Sequence, residues 1–353
     1  MSDLKINNIT NSGGNGGPVV AGVSTVSTSA FMVMPVGDTE IRNAGSGRGI
    51  IAGGAESLSS PYTISDRMQY ITISTTGNSI DFGNLSIARY YVRGTASSTR
   101  GIFAGGTVPG AVTNTIDYVT IASNGGASDF GDMSINRNGI AVFGNQTRGI
   151  LAGGYTTPTN TQTSIIEFVN IANVATTSDF GTLSEKREIM AGFASPTRGI
   201  IAGGAQGATV TNLTADIQFV TIATGGDSQR FGELRRLRYR LPGASNSTRG
   251  LTFGGRYPGQ TGIDEIDFIT IATEGNAQDF GDLRVALHES GALASSTRGI
   301  NFGGETAPNS GALLNVIEYV QISTGGDAAD FGDLLAVVGD DPAGCSDVHG
   351  GLG

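Results

Sequence analysis

Six in-phase copies of one short unit predict an all-β protein, and three recurring features carry that prediction. A Gly-Gly doublet stands at Gly53-Gly54, Gly105-Gly106, Gly153-Gly154, Gly203-Gly204, Gly254-Gly255 and Gly303-Gly304, a period of 48 to 52 residues. A phenylalanine keeps the same step at Phe82, Phe130, Phe180, Phe231, Phe280 and Phe331. An arginine precedes each doublet at Arg48, Arg100, Arg148, Arg198, Arg249 and Arg298. Repetition at this period marks an architecture in which each unit is one small sheet that buries its faces against its neighbours.

The unit at 138–183 shows each element in turn. NGIAVFG at 138–144 is short and small-to-apolar, fit for a crowded innermost strand. NQTRG at 145–149 is a tight turn into ILAGG at 150–154, a glycine-bounded apolar run that fits a strand buried on both faces. YTTPTNTQTS at 155–164 is a polar loop on one rim, and its counterparts are the parts that differ most between units. Variable loops on a repeated scaffold are where binding usually sits. They supply the candidate contact residues Tyr155, Thr156, Arg256, Tyr257 and Asn309. IIEFVNIAN at 165–173 alternates as a third strand, with Phe168 in the aromatic slot also held by Tyr70, Tyr118, Phe219, Phe268 and Tyr319. SDFGTL at 178–183 is the outermost strand, expected to be the most exposed.

In layout this resembles the kelch repeat: a second strand ending in Gly-Gly, a third with an aromatic, and a fourth with a large aromatic. Phe stands where kelch repeats commonly carry Trp, and the chain has no Trp. The resemblance covers about residues 36–353 and implies a six-bladed kelch-like β-propeller. Such folds host many unrelated functions. The repeated arginines are expected to be structural rather than an anion-binding ring. Asp117, Glu167, Asp267 and Glu318, with Gln69 and Gln218 as neutral replacements, are the acids expected to tie them. The outer-strand Asp81, Asp129, Asp179, Asp279 and Asp330 are expected to cap turns, since one carboxylate per unit falls short of a calcium site.

Composition narrows the function. Gly accounts for 56 of 353 residues but is concentrated at repeat positions, as turn chemistry requires. A net charge of −10, with only Lys5 and Lys186 as lysines, gives no basic footprint for nucleic acid. No run approaches a membrane span and no secretion signal is visible at the N-terminus. Cys345 is the single cysteine, and His288 and His349 lie far apart with no metal-ligand spacing, so neither cofactor nor metal is expected. The Tyr, His and Cys–Tyr set of copper-radical oxidases and the Arg cluster of sialidase-like propellers cannot be assembled, and no enzyme is expected. RRLRYR at 235–240 reads as an exposed basic patch.

Residues 1–35 depart from the repeat and read as an extended N-terminal docking arm, ordered by a partner. The stretch resembles the leader of tailed-bacteriophage fibre and structural proteins, cyanophage types included. That resemblance implies a virion protein of a tail fibre or surface appendage, made in the host cytoplasm and oligomeric in the particle. Ile6, Ile9, Val19, Val20 and Phe31 would dock to other virion proteins, and the propeller would face a host-surface glycan or protein. Alternatives are a virion decoration or connector that binds no receptor, and a cellular kelch-type interaction scaffold. At the other end PAGCSD aligns with the start of a further unit, so Ala343 to Ser346 are expected to form an innermost strand that closes the first blade.

Overall fold

The computed structural model describes residues 47–352 apart from 60–61, 160, 207–211, 258, 260–261 and 307–310. The fold is all-β, with one short 3-10 turn at Gly350–Leu352 among the described residues. Six antiparallel sheets carry a four-strand core in the same order, each beginning with the innermost strand. The third unit is typical: Ala141–Gly144, Arg148–Ala152, Ile165–Asn170 and Ser178–Thr182 lie side by side. The second strand is buried along nearly its whole length, while the fourth exposes most of its residues and turns only the phenylalanine inward. Asn138 differs from the sequence expectation. It leaves the innermost strand and pairs with Tyr155, because the chain needs 137–140 to cross between units before the first strand begins.

The first sheet draws on both chain ends. Ala343–Ser346 pairs with Arg48–Ala52, setting Ile50 opposite Cys345. The innermost strands Ala343–Ser346, Arg93–Ala96, Ala141–Gly144, Ala191–Ala194, Gly243–Ser245 and Gly291–Ala294 touch one another in that order, and the last returns to the first. Each apolar cluster between sheets mixes residues of two neighbours, as where Ile102, Ile116 and Phe130 pack on Ile140, Val142 and Leu151. All six outer phenylalanines are buried and meet the third-strand aromatic edge to face, with centroids 6.0 to 6.3 Å apart. Each such pair adds about 1 kcal/mol beyond the area buried. Gly153 shows why the doublet is glycine: its φ is +63°, and a Cβ there would lie 2.7 Å from the Arg187 carbonyl.

Two arginine rows join the sheets, and only one was visible as a row. The partners of the repeated arginines are not the acids. Each stacks over its own third-strand aromatic, as Arg148 does 4.7 Å from the Phe168 centroid. Each also donates to an isoleucine carbonyl of the next sheet: Arg48 to Ile121, Arg100 to Ile171, Arg148 to Ile222, Arg198 to Ile271, Arg249 to Ile322 and Arg298 to Ile73. The acids are taken by a second, wholly buried row: Arg89 with Asp117, Arg137 with Glu167, and Arg238 with Asp267, while Arg187 pairs with Asp216. Leu287 and Val338 hold the equivalent places in the last two units. Glu318 is buried without such an arginine among the described residues: it accepts from the Arg284 backbone, with the Arg284 side chain 4.0 Å away, and burial pushes its carboxyl above the ordinary range. The outer acids do not cap turns as expected: Asp129 accepts from the Gly131 backbone within the strand Ser128–Asp132, and Asp279 and Asp330 face Arg235 and Arg284.

Candidate functional site

The two ends of the innermost strands are chemically different. At the C-terminal end the turn Gly350–Leu352 folds over the strand tips, with His349 Nε2 2.7 Å from the Ala96 carbonyl and Gly350 against Asn246. Between the strands lies a cavity of about 50 Å³, lined by Phe143, Phe193, Cys345 and His349 among others.

The N-terminal end is built on an unusual backbone. The residue entering each unit here is Tyr91, Gly139, Ile189, Arg240, Glu289 or Asp340, and all six have φ between 52° and 58°. Non-glycine residues rarely adopt this left-handed region, at a cost of roughly 1–2 kcal/mol each. What holds them is a relay of backbone bonds around the axis. Ile189 N donates to Gly139 O, Arg240 N to Ile189 O, Glu289 N to Arg240 O, Asp341 N to Glu289 O, and Tyr91 N to Asp340 O. The backbone repeats, but the side chains do not.

Charged and aromatic side chains gather on this asymmetric half. Arg240 is ion-paired with Glu289, whose Oε1 also accepts from the Tyr91 hydroxyl at 3.4 Å. Arg93 grips Asp341 at 2.8 Å, and Tyr62 donates to Asp340. Tyr62, half exposed, packs edge-on against Tyr90, which in turn leans on Tyr91. His288 is fully buried, its Nδ1 3.7 Å from Glu289 Oε2 and 3.9 Å from Glu305 Oε2. Both distances are too long for hydrogen bonds. Neither ring nitrogen has a partner among the described residues, a state that costs about 1–3 kcal/mol.

Burial sets the electrostatics here. It raises the Asp340 and Glu305 carboxyls and the Tyr91 hydroxyl; for Tyr62 the Asp340 bond and charge add to it. It lowers His288, with help from Arg256 and Arg240, to about 3, so the imidazole is neutral and one of its two nitrogens can act as a lone-pair donor. Burial works against the Arg240 charge too, but Tyr91 and Asp341 more than offset it.

The variable loops stand on this same face, because they join the second and third strands while the axial residues join one unit to the next. The two sets are bridged directly: Tyr239 to Arg256, Glu188 to Ala205, and His288 to Glu305. Tyr155 and Thr156 are not free loop residues; they form a short ladder with Thr161–Gln162, and Thr156 is buried. Arg256 is buried as well, and Tyr257 is half-buried beside it. Asn309 and the proposed docking residues Ile6, Ile9, Val19, Val20 and Phe31 lie outside the described residues.

Two sequence expectations need correction. RRLRYR is not an exposed basic patch: Arg235, Arg236 and Leu237 are exposed, but Arg238 fills the slot between sheets, Tyr239 is buried and Arg240 turns toward the axis. The second is that Asp117, Glu167 and Asp267 bind Arg89, Arg137 and Arg238 and not the repeated arginines. The spacing of the two histidines does not point to His288, Glu289 and Glu305, because the group that meets contains only one of them. Aligning the units at the left-handed position would have exposed it, since three of six residues there are charged.

No protein-family model matches the chain, and no curated protein matches it.

Proposed function

We propose that the six sheets are blades of a kelch-like propeller serving as a binding module on a phage virion, with the loop face turned to a host-surface glycan or protein. The observation that carries the binding reading is the loss of six-fold chemistry across the loop face. The sheets and the arginine-to-carbonyl row repeat from unit to unit. The loop face departs from the repeat in Tyr62, Tyr90, Tyr91, Arg240, Glu289 and Asp340, several of them in a backbone conformation that costs free energy. Stacked tyrosines beside carboxylates and guanidiniums are the groups that recognise sugar rings and their hydroxyls, or a polar peptide. The virion reading is supported by the likeness of residues 1–35 to phage fibre leaders, with that segment as the arm that docks to neighbouring virion proteins. No helix among the described residues is long and apolar enough to cross a membrane.

The test is cell adsorption together with particle imaging. Labelling of assembled particles with an antibody to the loop face should place the protein at an exposed tip, and the free protein should compete with particles for host cells. Tyr62→Ala should weaken cell binding by on the order of tenfold or more. Label found only between other virion proteins, with adsorption unaffected by competitor, would replace adhesion with a connector role.

A further inference from the structure

We propose that His288, Glu289 and Glu305 form a binding site for one first-row divalent metal ion, of the zinc or manganese type. The three residues offer one imidazole nitrogen and two carboxylate oxygens, all within 4.8 Å of one another and all buried. A metal with bonds of about 2.1 Å in tetrahedral geometry holds its ligand atoms about 3.4 Å apart. The His288 Nδ1 distances of 3.7 and 3.9 Å to the two carboxylates exceed that by only a few tenths of an ångström. They are too long for hydrogen bonds, so a purely structural cluster leaves the histidine without a role.

The surrounding contacts have the form of a ligand-orienting shell. Arg240 and Tyr91 engage Oε1 of Glu289 and leave Oε2 toward His288. Glu305 accepts from the Gly311 backbone and presents its own Oε2 to the same nitrogen. Outer contacts of this kind fix the ligand atoms of metal sites. His288 and Glu305 are also cross-strand partners in a paired ladder, which holds their Cα atoms side by side. Glu289 and Glu305 would bring two carboxylates to the ion, with the Arg240 and Arg256 guanidiniums nearby on the other side of the balance. A donor set of one imidazole and two carboxylates suits zinc or manganese better than calcium, which takes oxygen alone.

This site stands independently of any receptor binding. Full-length protein, stripped with chelator and titrated with zinc chloride or manganese chloride by calorimetry, should take up one ion per chain and gain thermal stability. His288→Ala and Glu305→Gln should each weaken uptake by about 10–100-fold. Asp279→Asn, at an exposed carboxylate on the outer strand of the same sheet, should leave it unchanged. If His288→Ala misfolds, Glu305→Gln keeps the shape and decides the matter. Failure of both metals to bind in the millimolar range, or uptake unchanged by Glu305→Gln, would overturn the proposal and leave the adsorption test untouched.

Discussion

Arg137 and Glu318 show how differently one buried slot can be filled. Arg137 sits between two sheets with its charge met by Glu167, which also accepts from the Ser134 backbone and the Thr177 hydroxyl. Removing one partner of a buried pair strands the other. Arg137→Met should therefore cost about 3–5 kcal/mol in urea unfolding, and Arg137→Met with Glu167→Gln should recover most of it. Glu318 is the stranded case made by nature, since Leu287 replaces the arginine. A carboxyl whose pKa is raised by folding favours the folded state at acid pH, and that contribution is lost as pH climbs through the raised value. Glutamine imitates the protonated form at every pH. Glu318→Gln should thus stabilise the protein at pH 7, on the order of 1 kcal/mol, and match the parent below about pH 4, where even an unperturbed glutamate is mostly protonated. Equal stability of the two proteins at pH 7 would contradict this.

Strands and turns could be read from the sequence because each depends on residues close in the chain. ILAGG at 150–154 and SDFGTL at 178–183 have the strands Arg148–Ala152 and Ser178–Thr182 within or beside them, displaced by a residue or two at the ends. The contacts between units were harder. Arg148 reaches Ile222, a carbonyl more than seventy residues away, and no side-chain pattern marks a carbonyl acceptor. The second arginine row is hard to read from sequence for a related reason: Arg89, Arg137, Arg187 and Arg238 occupy four units of six and lie in connections whose neighbours vary. The candidate site combines both difficulties. Its residues come from five units, and each is ordinary until the left-handed position brings them together.

At the scale of the whole molecule, the first sheet is the seam. Its innermost strand comes from the C-terminal end and its other three from the first unit. Deleting 340–353 would leave Arg48–Ala52 with an open edge and take from Arg93–Ala96 and Gly291–Ala294 the strand that lies between them. The truncated chain should melt lower by on the order of 10 °C and aggregate on heating, as followed by calorimetry and light scattering. An unchanged melting point would mean that the seam contributes little to closure.

The turn at Gly350–Leu352 has a further effect on closure. A Cβ on Gly350 would lie 2.3 Å from the Asn246 carbonyl, and one on Gly351 1.8 Å from the Gly144 carbonyl, so the turn seats against two different units. The last residues therefore act twice: Ala343–Ser346 completes the first sheet, and the turn after it rests on strands of the far side.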